Sequence, residues 1–194
     1  MIEHRKIHVA IFASGAGTNA QNIINYFRND PLIRIAIIVG NNASAVVIQV
    51  AAKEKIPFLL LEKKRFNEDG YVAEFENMHI DILVLAGFLW KIPSVLILKY
   101  PERIINIHPA LLPGYGGKGM YGMKVHEAVI AAKDEESGIS IHYVDEIYDH
   151  GKIIFQSRCA IESCETAESL AKKIHQLEYQ HYPRVIKNII ENSL

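Results

Sequence analysis

The sequence lacks any apolar run approaching the ~20 residues that a membrane-spanning helix needs. Its N-terminus, Met-Ile-Glu-His-Arg-Lys, leads at once into a strand pattern, without the hydrophobic stretch and small-residue cleavage site of a secretory signal. A cytoplasmic chain with no membrane partner is expected. Cysteine is scarce: Cys159 and Cys164 are the only two, too few for a disulfide framework, so two free thiols are expected. An excess of charge of either sign is missing as well. The 21 Lys and Arg residues against 22 Asp and Glu give a formal charge of -1, which supplies no field to hold a polyanion and argues against nucleic acid as a partner. No Cys/His ligand spacing suggests a metal, and no repeat or low-complexity linker interrupts the chain.

What remains is an ordinary globular composition of 194 residues, 49% hydrophobic and 22% charged. That length suits one α/β core and is short for two ordinary domains, so a single domain over 1–194 is expected, acting as a monomer or homodimer on small molecules. Short apolar runs rich in β-branched residues recur at Ile7 to Ala13, Ile33 to Val39, Pro57 to Leu61, Ile80 to Ala86 and Arg103 to Ile107. Between them, helical patterns run from Ala20 to Phe27, Ala43 to Lys55 and Asn67 to Met78, with a short helix after Pro93. Continuous apolar strands alternating with helices imply a doubly wound, mostly parallel sheet covered on both faces.

The pattern then changes. Pro109 to Met123 holds five glycines and two prolines and reads as a loop, followed by a helix from Lys124 to Ala132. Gly138 to Val144 and Lys152 to Ile161 read as an antiparallel strand pair. A closing helix spans Thr166 to Asn188, with a break expected at Pro183.

Three stretches carry chemistry. Ser14-Gly-Ala-Gly-Thr-Asn19 joins the first strand to the first helix, and such a turn brings backbone N–H groups and a helix N-terminus to an anion. The second strand ends in Gly40-Asn41-Asn42 rather than the acid of a dinucleotide site, so a phosphomonoester is the expected ligand. Asn106 and His108, one residue apart at the end of a buried strand, point to the same side and form an apt pair for an oxygen that becomes negative. The segment His142 to Gly151 is dense in titratable groups, and a carboxylate from it beside His108 could relay a proton. Spacing leaves Asp145, Glu146 and Asp149 equally eligible. Tyr148-x-x-x-Lys152 imitates a dehydrogenase pair but lies in a turn, where the two groups share no helix face.

These segments, with Leu83-Val-Leu-Ala-Gly-Phe88, Ile105-Asn-Ile-His-Pro-Ala-Leu-Leu-Pro113, Asp149-His-Gly151 and Glu178-x-x-x-Tyr-Pro183, resemble the phosphoribosylglycinamide formyltransferase family over nearly the whole chain. The resemblance implies a Rossmann-like fold and transfer of formyl from 10-formyltetrahydrofolate, a co-substrate, to the amine of glycinamide ribonucleotide in purine synthesis, with no metal. It implies that Asn106 and protonated His108 stabilise the oxyanion and that Asp149 is the acid. Gly17, Thr18 and Asn19 then match the phosphate site and Glu178 a contact to the ribonucleotide. Leu89, Trp90, Lys91 and Ile92, with Asp145, Glu146, Ile147 and Tyr148, match the segments around the folate.

Three departures stand out. Leu89-Trp90-Lys91 replaces the usual Met-Arg after Phe88. No arginine matches the family's folate-tail residue around Asn67 to Gly70, although Lys63, Lys64 and Arg65 lie near. The stretch Gly114 to Met123 is long and glycine-rich, as expected of a flap. A formyltetrahydrofolate hydrolase, with water in place of the amine, and a non-catalytic phosphate or nucleotide-binding module are the alternative readings.

Overall fold

The computed structural model describes residues 5–192; the reading of the N-terminal sequence falls partly on residues 1–4, outside the described residues. Seven strands form one mostly parallel sheet in the order β3-β2-β1-β4-β5-β6-β7, a Rossmann-like α/β arrangement. The chain divides into two compact units whose boundary falls inside β5 (Ile104–His108), the first ending at Ile105 and the second beginning at Asn106.

The first unit is built on β1 (Ile7–Phe12), β2 (Ile33–Gly40), β3 (Phe58–Leu60) and β4 (Ile80–Leu85). β1 pairs in parallel with β2 and β4, and β2 with β3. Val9 to Ala13, Ile38, Val39, Leu83 and Val84 have no exposed surface, because helices cover both faces of a parallel sheet. α1 (Thr18–Phe27) buries Ala20, Ile23, Ile24 and Phe27, the i, i+3, i+4, i+7 stripe of an amphipathic helix.

Two helices depart from the sequence reading. α2 spans Val47–Glu54 rather than starting at Ala43. Asn42 takes the intervening residues into a turn, its side chain accepting the Ser44 N–H at 2.9 Å and its carbonyl the Ala45 N–H at 3.1 Å. The single helix expected over Asn67 to Met78 is two, α3 (Lys63–Glu68) and α4 (Val72–Asn77). Asp69 accepts the Tyr71 N–H at 2.7 Å, and Gly70 and Tyr71 both adopt left-handed backbone, at φ 62 and φ 56, which stops a helix. α5 (Ser94–Lys99) follows Pro93 as expected.

The second unit holds the end of β5, α6 (Met123–Ala132), the antiparallel pair β6 (Glu136–Tyr143) and β7 (Ile153–Ala160), and α7 (Ala167–Asn192). The pairing shifts between Ile141 and His142, so that Ile154 is an extra residue opposite them, a β-bulge at the site end of the hairpin. α7 runs through Pro183 without the expected break. An interior proline costs a helix about 3 kcal/mol, but Leu170, Ile174, Tyr182, Ile186 and Ile190 continue one buried stripe on both sides of it, and tertiary packing outweighs the local penalty. Cys159 and Cys164 are both free thiols.

Candidate active site

In the first unit, the turn after β1 is shaped by Gly17, which caps α1 at φ 74. A Cβ there would lie 2.7 Å from the Val47 side chain, so backbone conformation and space both demand glycine. No side chain caps the helix, whose first-turn N–H groups are the orphan donors that favour an anion. Thr18 and Asn19 open this helix. The Ser14 hydroxyl accepts the Leu89 N–H at 2.9 Å, joining the turn to the segment after β4. There Leu89 and Lys91 are exposed, Ile92 is buried, and Trp90 packs on Phe66 and Phe88. Lys63 places its ammonium 4.2 Å from the centre of the Trp90 ring, while Arg65 is held by Asp69 and Glu74.

In the second unit, Asn106, His108, His142 and Asp149 converge. His108 is 3% exposed and His142 2%. The His142 Nδ1 lies 2.8 Å from the Tyr143 carbonyl, which can only accept, so Nδ1 carries the hydrogen and Nε2 is an acceptor. The Asn106 amide nitrogen meets both demands around it: one hydrogen goes to His142 Nε2 at 3.1 Å, the other to Asp149 Oδ1 at 3.3 Å. The reversed amide would set its oxygen against the carboxylate. The second carboxylate oxygen, Oδ2, accepts the Gly117 N–H at 2.9 Å and lies 3.5 Å from His108 Nδ1.

The remaining nitrogen of His108, Nε2, lies 2.7 Å from the Tyr115 carbonyl. It therefore donates, and in the neutral ring Nδ1 is the lone pair facing Asp149. Burial pushes the His108 pKa down, against the opposing pull of Asp149 and the Tyr115 carbonyl. Burial by itself would raise Asp149, but the two histidines beside it, through any proton they carry, and the Gly117 N–H hold the carboxyl below its usual range. Asp149 adopts φ 55, a left-handed conformation that Asp tolerates better than most residues.

Of the other acids that spacing left eligible, Asp145 pairs with His150 at 2.7 Å and accepts the Ile147 N–H at 2.8 Å; Glu146, Ile147 and Tyr148 are exposed. Glu178 is 5% exposed on α7 and bound to His175 at 2.9 Å. The sequence reading assigned no part to three participants: His142 as holder of Asn106, the Tyr115 carbonyl and the Gly117 N–H. Alternation along β6 could have found the first, since Gly138, Ser140 and His142 share a face, and Ser140 on that face hydrogen-bonds Ala110 and Leu112 beyond β5. Among the described residues no group of three or more His, Cys, Asp or Glu is placed to hold a metal ion, and no helix is long and apolar enough to cross a membrane.

Residues 7–186 match the family model described as formyl transferase. The chain belongs to the formyl transferase family. It is 37% identical over 196 residues to the chloroplastic phosphoribosylglycinamide formyltransferase of Vigna unguiculata, an alignment covering 98% of this chain and 63% of that protein. The chain thus spans less than two thirds of the length of that relative. It is 33% identical to the phosphoribosylglycinamide formyltransferase of Bacillus subtilis, with 93% of each covered. A crystal structure of phosphoribosylglycinamide formyltransferase from Bacillus halodurans aligns with a TM-score of 0.87 at 34% identity, over 96% of this chain and 97% of that one.

Proposed function

We propose that this member of the formyl transferase family is a one-domain phosphoribosylglycinamide formyltransferase, moving formyl from 10-formyltetrahydrofolate to the amine of glycinamide ribonucleotide in purine synthesis. The observation that carries the reading is the convergence of Asn106, His108 and Asp149 in a buried, hydrogen-bonded group within a family member. Gly17, Thr18 and Asn19 take the phosphate at the uncapped start of α1, and Glu178 contacts the glycinamide part. For the folate, family likeness assigns Leu89 to Ile92 in the first unit and Asp145 to Tyr148 in the second, and the exposed Leu89, Ile147 and Tyr148 each suit contact with an apolar ring. The protein acts in the cytoplasm, as a monomer or homodimer, without nucleic acid.

The amine nitrogen adds to the formyl carbon, forming the new C–N bond and placing negative charge on the formyl oxygen. Asn106 turns a hydrogen to that oxygen, and His108, as an imidazolium paired with ionised Asp149, stabilises the charge and keeps its proton throughout. Asp149 accepts the proton leaving the amine and passes it through water to the folate nitrogen as that C–N bond breaks. The test is an assay of purified protein with both substrates, following release of the folate product. Turnover that depends on the ribonucleotide supports the reading. Formate release at an equal rate without it would support the hydrolase instead, and folate binding with no turnover would leave only a binding module.

A further inference from the structure

Tyr115 holds His108 by its main chain and is itself held by its side chain. Its carbonyl takes the His108 Nε2–H at 2.7 Å, while its hydroxyl donates to Asp134 Oδ2 at 2.7 Å. Its backbone is left-handed at φ 54, a conformation that costs a bulky residue roughly 1–2 kcal/mol and persists only where something fixes it. The surrounding loop is a poor candidate for that task, since Gly114, Gly116, Gly117, Gly119 and Gly122 leave it few side chains to pack. Asp134 is a better anchor. It directly follows Lys133, the left-handed cap of α6, a helix pinned by fully buried Val125 and by Val129.

We propose that Tyr115 and Asp134 are positioning residues for His108: their side-chain tether sets the carbonyl that keeps hydrogen on Nε2 and leaves Nδ1 facing Asp149. Without the tether the carbonyl drifts, and the opposite tautomer becomes the better one, because Nδ1–H can donate to Asp149 Oδ2, now 3.5 Å away. The groups acting on His108 are otherwise unchanged, namely Asp149, His142 and Glu178. The proposal deepens the formyl-transfer reading and rests on it for its kinetic readout alone.

The experiment compares Tyr115→Phe, Asp134→Ala and Asp134→Asn with the native protein. Loss of one hydrogen bond to a charged group should lower kcat about tenfold in the first two, with KM for both substrates within about twofold. Asp134→Asn keeps an acceptor for the hydroxyl and should recover to within about twofold of native. Nitrogen-15 NMR of the His108 ring should show hydrogen on Nε2 in the native protein and a mixture of tautomers in Tyr115→Phe. Its titration should move to lower pH there, because the carbonyl favours the charged ring. A Tyr115→Phe protein with native tautomer and titration overturns the proposal. So does Asp134→Asn behaving like Asp134→Ala. If the native protein turns over neither substrate, the formyl-transfer reading fails while the NMR comparison still decides the tether.

Discussion

At the scale of residues, the centre is a sequence of donor and acceptor assignments in which each atom is fixed by the next. The Tyr143 carbonyl fixes His142, His142 and Asp149 fix the Asn106 amide, and the Tyr115 carbonyl fixes His108. Asp149→Asn is the informative substitution here, since Asn tolerates the left-handed backbone at φ 55 as Asp does. Turnover should fall about 10²- to 10⁴-fold in a protein that still folds, with a somewhat lower denaturation midpoint because the ionised carboxyl is favoured in the folded state, and near-native turnover would remove Asp149 from the mechanism. His108→Ala should lose as much activity and some stability too, because it empties a buried site. Asn106 and His108 were legible in the sequence through the two-residue period of a strand. Asp149 was not legible from spacing and came from family likeness. His142 stayed hidden because its part depends on β6 lying beside β5 with His142 on the face that carries Asn106, and the Tyr115 and Gly117 contributions are main-chain groups that no residue identity advertises.

At the scale of elements, the strand-turn-helix at the start of the chain separates folding from binding. Gly15 has open space where a Cβ would go, whereas Gly17 sits at φ 74 against Val47. Gly17→Ala should cost more than about 1 kcal/mol in urea denaturation, and Gly15→Ala less than about 0.5. Equal effects would mean that the turn is looser than its geometry. The strands were readable to within a residue or two: β1 to β4 are apolar runs because a parallel sheet is covered on both faces, and β5 to β7, the last two an antiparallel pair, also stand close to their expected places. Helix limits were less readable. The Asp69-Gly70-Tyr71 interruption uses two left-handed residues, one of them a tyrosine, and local pattern does not forecast that. The intact helix through Pro183 reflects packing along 26 residues of α7, which outweighs a local rule.

At the scale of the whole molecule, buried histidines set the response to acid. Burial lowers the pKa of His108 and of His126, which is 2% exposed. A group that protonates less readily when folded binds more protons in the unfolded chain, so its contribution is present above the unfolded value near 6.5 and lost as pH falls below it. His175 acts oppositely, since its hydrogen bond to Glu178 raises it and its contribution fades as pH rises. Two lowered, deeply buried groups against one raised, half-exposed one predict a lower urea midpoint at pH 5.5 than at 7.5, with the gap narrowed by His126→Gln. An equal or higher midpoint at the lower pH would contradict this balance. Tolerance of changes in chain length is likewise uneven over the molecule. The supernumerary Ile154 bends the far end of the hairpin, and the stretch it steers carries Asp149. Excising that single isoleucine should leave a protein that still folds, by circular dichroism, yet aims its acid at the wrong place: an error of bookkeeping in the backbone, silent to the core and fatal to the reaction.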